Sequence, residues 1–560
     1  MKKTFLSAIL LMVAQLAIAG GLIIRPSQSA QYVRMLSRNA STGLDAAYYN
    51  PAGLGSLGDG MHLSINNMFM TGEKLLVSGY DYLSDPEYTE TIRQMFLPTG
   101  FAVYEAGKVS ASIGFGHLGG LGSINWDQGL LSMEIPVARL PRALPYQART
   151  DYQVEGYQAD IEFLGKSSIW GIQGGITYRV ADYLSVYGGI RYLVVNNSYA
   201  GSVGNIRLMV DGEMVEAAGW MTARSTDYKN QSDAAAALAV SYSGFVSQVQ
   251  NLITGGAGSF TLNQVQSAGY ISSAQRAEWE AALRSAGYTP AQVASMNIMQ
   301  VKLSMAEAAD NQSQLSIGMA TAAAELAVLA SQSNDRELST GQKGGGITPV
   351  LGINLTPLKN LNIGIRYEFK TSVELTNQTF SDDWGLYPDK DVLLLEVPAH
   401  LAFGIGYKAG KMFEGQFSCD LGFDKGGVWG KNQRDWISIG ADSTQVRDRL
   451  ASGNSLGLGL GLQVNLTDDI GISLGGNFWK PAVHESYQSD FAFVQACYSF
   501  GLGMEWRPNE QVSFDFGFSK SYYQPAEAHY FEPVLDDWYI DTFNLDGMFF
   551  SIGLTYRTIR

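Results

Sequence analysis

Alternation of apolar with small or polar residues constrains this chain more than any other feature. From Ser455 to Leu466 every second residue is a large apolar one, and the residues between them are Gly, Ser, Gln or Asn. A period of two is that of a β-strand with one apolar face. The pattern recurs along the chain with little apolar material left to cover it, so lipid is the expected cover. In a bilayer the backbone must satisfy its own hydrogen bonds, and a period of two then predicts a closed barrel.

The N-terminus predicts export from the cytoplasm. Lys2 and Lys3 precede an apolar run that ends in Ala17-Ile18-Ala19, a small-x-small cleavage site, so residues 1–19 are interpreted as a signal peptide. Nowhere else do about 18 consecutive apolar residues occur, and no membrane-spanning helix is expected in the mature chain. Export without such a helix points to the periplasm or outer membrane of a diderm bacterium.

Composition favours one large β unit over several domains. The 560 residues include 63 glycines, 29 tyrosines and 25 phenylalanines, spread along the length without Pro-rich or Ser-rich linkers. A formal net charge of -15 argues against nucleic acid as a partner, because phosphates would be repelled. The two cysteines, Cys419 and Cys497, fall on opposite faces of strands that are not neighbours, so both are expected to be free thiols.

Short turns and long connections alternate along the chain, as in outer-membrane barrels. Lys408-Ala409-Gly410-Lys411 and Arg507-Pro508-Asn509-Glu510 are examples of the turns. We therefore predict an all-β fold, a 14-stranded antiparallel transmembrane β-barrel with both termini periplasmic. The predicted strands are 61–71, 99–105, 109–117, 169–179, 185–197, 345–355, 361–376, 394–407, 412–423, 454–466, 470–479, 492–506, 511–522 and 547–558.

Residues 20–58 do not alternate and are polar and rich in Gly and Ser. A barrel of this size has room for a small plug, so this segment is predicted to be an N-terminal hatch in the lumen, with residues 59–560 forming the barrel. The segment resembles the hatch of the FadL/TodX (OmpP1) family of outer-membrane transporters of long-chain fatty acids and other hydrophobic compounds. Its signature here is Asn50, Pro51 and Ala52, and Glu396-Val397-Pro398-Ala399 adds a strand opening of the family's kind.

The resemblance implies hatch-gated passage and lateral release of the ligand through a gap beside a kinked third strand. In this sequence the third predicted strand ends in a glycine-rich run, and glycines at that density permit a bulge or kink. The lateral-gap candidates are Gly116, Gly119, Gly120 and Gly122. A flexible loop entrance is the alternative interpretation of the same residues.

The connection at 198–344 is too long for a bare loop and is predicted to contain a helical insert at about 230–335. Its composition shifts to Ala, Gln, Ser and Met, and four helices are predicted: Ala234 to Thr254, Ser273 to Ala286, Pro290 to Ala308 and Gln312 to Ala330. Counting hairpins places this insert outside the cell. It is interpreted either as a shield or as an apolar surface that captures ligand.

A carboxylate-headed ligand such as a fatty acid would need an inward basic residue at its head. By alternation the candidates are Arg191, Arg366, Lys370 and His400. A lumenal lattice of salt bridges is the alternative, because several acidic residues face inward as well: Glu368, Glu414, Asp420, Glu505 and Asp515.

The leading hypothesis is a channel for passive uptake of hydrophobic small molecules, fatty-acid-like or aromatic, across the outer membrane. The five histidines show no metal-ligand spacing and no Gly-x-Ser-x-Gly occurs, so no enzyme activity, catalytic residue, metal or cofactor is expected. The expected partners are the hydrophobic ligand and outer-membrane lipid, and a monomer is expected. The alternative is a receptor or a secretion or adhesion component that uses the insert as a docking surface.

Overall fold

The structure is a computed structural model that describes residues 28–120, 123–427, 451–532, 534 and 536–558. The predicted signal peptide and the first part of the predicted hatch, residues 20–27, lie outside the described residues. The described chain forms two compact units. One consists of Val137–Ala159 and Asn205–Asp335, and the other contains the rest.

Fourteen antiparallel strands form a closed barrel, which confirms the predicted fold class. Each strand pairs with the next, and the ring closes where β1 pairs with β14, from His62 opposite Arg557 to Ser78 opposite Asp541. The strands are β1 Gly60–Ser78, β2 Glu87–Ala106, β3 Val109–Gly119, β4 Val154–Ala181, β5 Leu184–Val210, β6 Arg336–Leu358, β7 Leu361–Glu368, β8 His400–Ala409, β9 Phe413–Gly422, β10 Leu456–Asn465, β11 Ile470–Lys480, β12 Cys497–Trp506, β13 Val512–Tyr523 and β14 Asp537–Arg557.

Facing follows the predicted alternation. On β10 the leucines Leu458, Leu460 and Leu462 are exposed on the outside of the barrel, while the glycines between them are buried. Aromatic side chains beside the short turns are also exposed: Tyr178, Tyr407, Trp506 and Tyr556. The exterior is therefore apolar with aromatic rings near the turns, as a lipid-facing surface would be.

Several strands are longer than predicted, and two are interrupted. The ladder between β5 and β6 runs from Leu184 opposite Leu355 to Val203 opposite Arg336. Thr371–Asp382 continues the line of β7, and Val392–Val397 precedes β8 across a break at Pro398. Proline has no N–H to donate to a sheet, which explains the break.

The predicted hatch lies in the lumen over its described residues. It contains the helix α1 Ala30–Met35, the helix α2 Ala46–Tyr49 and the 3-10 helix Pro51–Ser56. Leu44, Tyr48 and Leu54 pack with inward side chains of the wall, among them Phe101 and Leu193. Between β3 and β4 the chain forms three short helices, α3 Leu131–Ala138, α4 Leu140–Ala143 and α5 Tyr146–Asp151.

The second unit is mainly helical. Its helices beyond β5 are α6 Ala217–Thr254, α7 Leu262–Ser267, α8 Ser273–Ser285, α9 Pro290–Ser295 and α10 Ile298–Gln332. The Ser232 hydroxyl donates to the carbonyl of Ser316 at 2.8 Å, which fixes the antiparallel register of α6 and α10. Trp279 and Leu283 of α8 are buried in a hydrophobic core at the C-terminal end of α6 and the N-terminal end of α10.

Several helix boundaries differ from the prediction, and α7 was not predicted. The helix α6 begins at Ala217 rather than Ala234, because the Glu216 carboxylate caps the N–H groups of Ala218 and Gly219. Asn297 forms a capping box with Gln300 and starts α10, which then continues to Gln332 without the predicted break. Among the described helices, α10 alone is long and apolar enough by length and composition to cross a membrane.

Candidate functional site

Arg34 anchors α1 to the barrel wall. Its Nε donates to Oδ1 of Asp515 on β13 at 2.9 Å, and Nη1 donates to the Ser473 hydroxyl on β11 at 2.6 Å. Glu505 of β12 lies 3.5 Å from Nη2. Arg34 and Asp515 are both buried, so each neutralises a charge that would otherwise be costly in this environment.

The turn between α1 and α2 is held by its own ion pair. Arg38 donates from Nε to Asp45 Oδ2 at 2.7 Å, and the Ser41 hydroxyl donates to Oδ1 at 2.6 Å. Burial alone would raise the pKa of Asp45, but Arg38 and the hydroxyls of Ser41 and Ser29 hold it below its ordinary value. The turn is therefore fixed by charge-assisted hydrogen bonds.

The hatch motif is bonded to three different strands. The Asn50 side chain donates to Oδ1 of Asn354 on β6 at 2.7 Å. The carbonyls of Pro51 and Ala52 accept hydroxyl hydrogen bonds from Thr177 of β4 at 2.7 Å and Ser185 of β5 at 2.6 Å. All three motif residues are buried, so the motif joins the 3-10 helix to the wall through main-chain and side-chain bonds together.

The inward glycines of the strands lie directly against the hatch backbone. A Cβ placed on Gly461 would lie 2.6 Å from the Met35 carbonyl oxygen, and one on Gly501 would lie 2.5 Å from that of Val33. A Cβ on Gly475 would overlap the Met35 carbonyl. Glycine at these positions lets the two backbones touch.

A cavity of about 230 Å³ remains in the lumen between the hatch and the wall. Tyr32, Leu36 and Tyr49 form its hatch side. Aromatic and apolar side chains of the wall include Trp479 and Phe549. The loop that follows β11 contributes Phe493 and Val494, while His400, Asp420 and Asn477 supply polar groups. An apolar hollow with a few polar groups is the usual form of a small-molecule site.

Two of the predicted basic candidates meet at one carboxylate. Arg191 donates from Nη1 to Glu368 at 2.9 Å, and the Arg366 Nε lies 3.1 Å from the same carboxylate. Both guanidinium groups lie over the Tyr48 ring, at 4.8 and 5.3 Å from its centroid. Arg366 also donates to the carbonyl of Tyr48. The pair therefore holds α2 in place, and of the two only Arg366 lies in the described lining of the cavity.

The other two candidates also lie beside acidic groups. Lys370 Nζ is 2.8 Å from Glu396 and lies outside the described lining of the cavity. His400 lines the cavity, with Nε2 3.1 Å from Asp420. The structure thus brings Arg366 and His400 to the cavity and places Arg191 and Lys370 away from it. In the described chain, no group of three or more His, Cys, Asp or Glu residues is arranged to hold a metal ion.

The lateral-gap candidates lie where strand pairing changes. Within the described residues the ladder between β2 and β3 stops at Gly100 opposite Phe115, although β2 continues to Glu87. The pairing of β3 with β4 is irregular between His117 and Gly119. Gly116 and Gly119 lie at the C-terminal end of β3. Gly120 follows with a φ of 69°, and Gly122 lies outside the described residues. We call the stretch between residues 91–99 of β2 and 116–119 of β3 the window, because residues 87–90 of β2 are hydrogen-bonded to residues 123–128.

Sequence reasoning missed the hatch and loop side chains that form the cavity. Tyr32 and Tyr49 stack with ring centroids 5.3 Å apart, and Phe493 approaches from the loop after β11. These segments do not alternate, so their facing cannot be determined from a period. Trp479 could have been found, because it follows the outward Phe478 and alternation turns it inward.

Comparison with solved structures identifies the fold. The chain is similar to the crystal structure of a Pseudomonas aeruginosa FadL homologue, with 11% identity, a TM-score of 0.53, and coverage of 96% of this chain and 100% of that one. It also matches the Pseudomonas putida toluene transporter TodX (10% identity, TM-score 0.47, coverage 96% and 100%). The CymD monoaromatic hydrocarbon channel matches with 13% identity, a TM-score of 0.43 and coverage of 96% and 99%. No protein-family model and no curated protein matches the sequence. The resemblance to the FadL/TodX family is confirmed at the level of the fold.

Proposed function

We propose that this protein is an outer-membrane channel for the passive uptake of hydrophobic small molecules. The observation that carries the proposal is the cavity between the hatch and the wall, lined by Tyr32, Trp479, Phe493 and Phe549. Burying an apolar ligand against such groups is favourable without any covalent chemistry. The fold shared with the FadL homologue and the apolar exterior of the barrel support the same function.

The size of the cavity favours a ligand of one or two rings over a fully enclosed long acyl chain. An engineered cavity of about 150 Å³ holds benzene, and this one has about 230 Å³. The cationic residue at its edge, Arg366, shares Glu368 with Arg191. A carboxylate head would have to compete with Glu368 for that guanidinium, so a neutral ligand is favoured.

The proposed route ends in the membrane. Ligand leaves the cavity past the hatch and passes sideways through the window between β2 and β3. The break in pairing at Gly100 and Phe115 supports this exit, because no ladder hydrogen bonds between β2 and β3 have to be broken beyond that point. We further propose that the short turns and both termini face the periplasm, that the insert is extracellular, and that the barrel works as a monomer surrounded by lipid.

Uptake is tested with labelled naphthalene and labelled oleate in cells that produce the protein and in cells that lack it. We expect faster entry of naphthalene in the producing cells, with a smaller effect on oleate. Equal entry of both probes in the two strains would refute the channel function.

Binding in the cavity is tested with the native thiols. Cys497 lines the cavity, and Cys419 lies on the outward face of β9. Naphthalene should slow the reaction of Cys497 with a maleimide and leave Cys419, the matched control, unchanged. Equal protection of both thiols, or of neither, would contradict binding at this cavity.

A docking function is the second candidate, because the helical unit exposes large apolar side chains. Val240 of α6 and Leu303 and Ile317 of α10 are each exposed by more than half. Exposed apolar surface of this kind can mark an interaction site. If the insert serves a partner and not uptake, its removal should leave naphthalene entry unchanged.

A further inference from the structure

Among the described residues of the hatch, Gln28 crosses the window. Its side-chain Nε2 donates to the carbonyl of His117 on β3 at 2.6 Å. Its own carbonyl accepts from the Thr99 hydroxyl on β2 at 2.7 Å. Thr99 and Gly116 would form the next rung of the ladder after Gly100 and Phe115. Gln28 thus bridges the two strands at the point where their pairing ends.

Glycine at position 116 makes room for this bridge. A Cβ there would overlap Oε1 of Gln28 and would lie 3.1 Å from Cγ2 of Thr99. Gln28 is itself buried, at 1% exposure, so its amide is enclosed between the two strands where the window begins. Side-chain and main-chain bonds of this residue replace the missing bonds of the sheet.

Gln28 is also bonded to the wall of the cavity. Its backbone N–H donates to the Tyr49 hydroxyl at 2.8 Å. Tyr49 stacks on Tyr32 with an interplanar angle of 5°, and both rings line the cavity. A ligand that enters the cavity and displaces the Tyr49 ring would therefore break a hydrogen bond of Gln28.

We propose that Gln28 is the latch of the window and that Tyr49 links the latch to occupancy of the cavity. The inference rests on the proposed function, since a latch has meaning only if ligand leaves between β2 and β3. Gln28 acts here as a positioning residue: it holds the two strands together until the ligand loosens its bond to Tyr49.

The latch is tested by reversible cross-linking. Gln28→Cys/Thr99→Cys is made in a Cys419→Ser/Cys497→Ser background and treated with a short bis-methanethiosulfonate that dithiothreitol removes. Naphthalene uptake should be lost, because a required conformational step is blocked, and it should recover on reduction. The matched control is Ala40→Cys/Asn362→Cys, where the Asn362 amide donates to the Ala40 carbonyl at 2.9 Å and neither residue lies in the described lining of the cavity. Cross-linking this control should leave uptake within about twofold of the background.

The outcomes separate the latch from the channel. Uptake blocked equally by both cross-links would overturn the latch, because the whole hatch would then have to move. Uptake unaffected by the Gln28 cross-link, while the background protein still transports, would also overturn it and leave the proposed function standing. A protein with its native cysteines that takes up no naphthalene would refute the proposed function and the latch together.

The link through Tyr49 has its own measurement. In Thr99→Cys, made in the same background, added naphthalene should raise the rate of thiol labelling about fivefold, the equivalent of one hydrogen bond. Tyr49→Phe, which removes the hydroxyl and keeps the ring, should give the higher rate without naphthalene. Tyr187→Phe, which removes a buried hydroxyl outside the described lining of the cavity, is the control and should keep the response. A response that survives Tyr49→Phe would overturn the link.

Discussion

The inward glycines decide how closely the hatch lies against the wall. Alanine at Gly475 would put a methyl group into the Met35 carbonyl, so one of the two backbones would have to shift. We expect Gly475→Ala to lower the free energy of unfolding by about 1–3 kcal/mol, as overpacking does. Urea titration in detergent micelles measures this, and cleavage of the hatch by added protease should increase.

The neighbouring glycine is the control for this substitution. A Cβ on Gly476 would meet nothing closer than the Ser499 carbonyl at 3.8 Å. Gly476→Ala should therefore change stability by no more than about 0.5 kcal/mol. Similar losses for the two variants would show that replacing a glycine in this strand lowers stability whether or not the glycine contacts the hatch.

Arg34 is expected to be among the most sensitive residues in the hatch. Arg34→Met leaves Asp515 buried without its closest cation, and we predict a loss of about 3–5 kcal/mol in unfolding free energy. Lys370→Met is the control, because the Lys370 side chain is 43% exposed and its pair with Glu396 should contribute no more than about 1 kcal/mol. The double variant Arg34→Met/Asp515→Leu should recover part of the loss. No recovery would mean that the buried carboxylate is not the cause.

At the scale of single residues, facing could be predicted from the sequence and partners could not. Alternation correctly placed Arg191 and Arg366 on the inner face. The carboxylate between them, Glu368, pairs with Arg191 across 177 positions of the chain, and only the register of β5, β6 and β7 brings them together. Tyr48, which both arginines cover, lies in a segment without any period.

The strands show where a periodic pattern stops being informative. The fifth predicted strand ended at residue 197, but β5 continues to Val210. Around Asn196, Asn197 and Ser198 the outward face loses its apolar residues, while the hydrogen-bond ladder to β6 continues. The alternation shows which face of a strand is apolar, whereas the backbone hydrogen bonds between strands form whether or not that face is apolar. The ends of strands that extend beyond the apolar band therefore cannot be predicted from the alternation.

The helical insert should be dispensable for the barrel. Strands β5 and β6 pair from Leu184 to Val203 without any residue of the insert. Replacing residues 217–332 with a short Gly-Ser linker should therefore leave a folded barrel, detected as a band that shifts on heating before SDS electrophoresis. Loss of the heat-dependent shift would contradict this independence. Naphthalene entry in the same variant distinguishes a capturing insert from a docking one.

For the whole molecule, the decisive question is what covers the apolar exterior. Leu474 lies midway along β11 and is 61% exposed, and Val240 of α6 is 73% exposed. If lipid surrounds the barrel, Leu474→Arg should cost about 2–4 kcal/mol in unfolding free energy measured in lipid vesicles. Val240→Arg, a similar change at an exposed apolar residue outside the barrel, should cost less than about 0.5 kcal/mol. Equal costs would contradict a lipid-facing barrel.

The number of strands and the closed ring could be predicted from the alternation. The lumenal hatch could be predicted from the segment in which the alternation is absent. The cavity could not, since it is the space left between a segment without a period and a wall whose shape depends on register. Its position beside Tyr32 and Phe493 appears only when both are in place.

The hatch precedes the barrel strands in the chain, but it also binds to strands near the end of the barrel sequence. Ala30 donates its N–H to Asn66 on β1, while the side chain of Gln31 reaches Asp515 across 484 positions of the chain. Contacts between such distant positions form late in folding. Of the strands that bond to α1, β1 also completes the ring by pairing with β14. We therefore expect closure of the barrel and seating of the hatch to occur together, because a barrel that closed with the hatch outside would enclose an empty lumen.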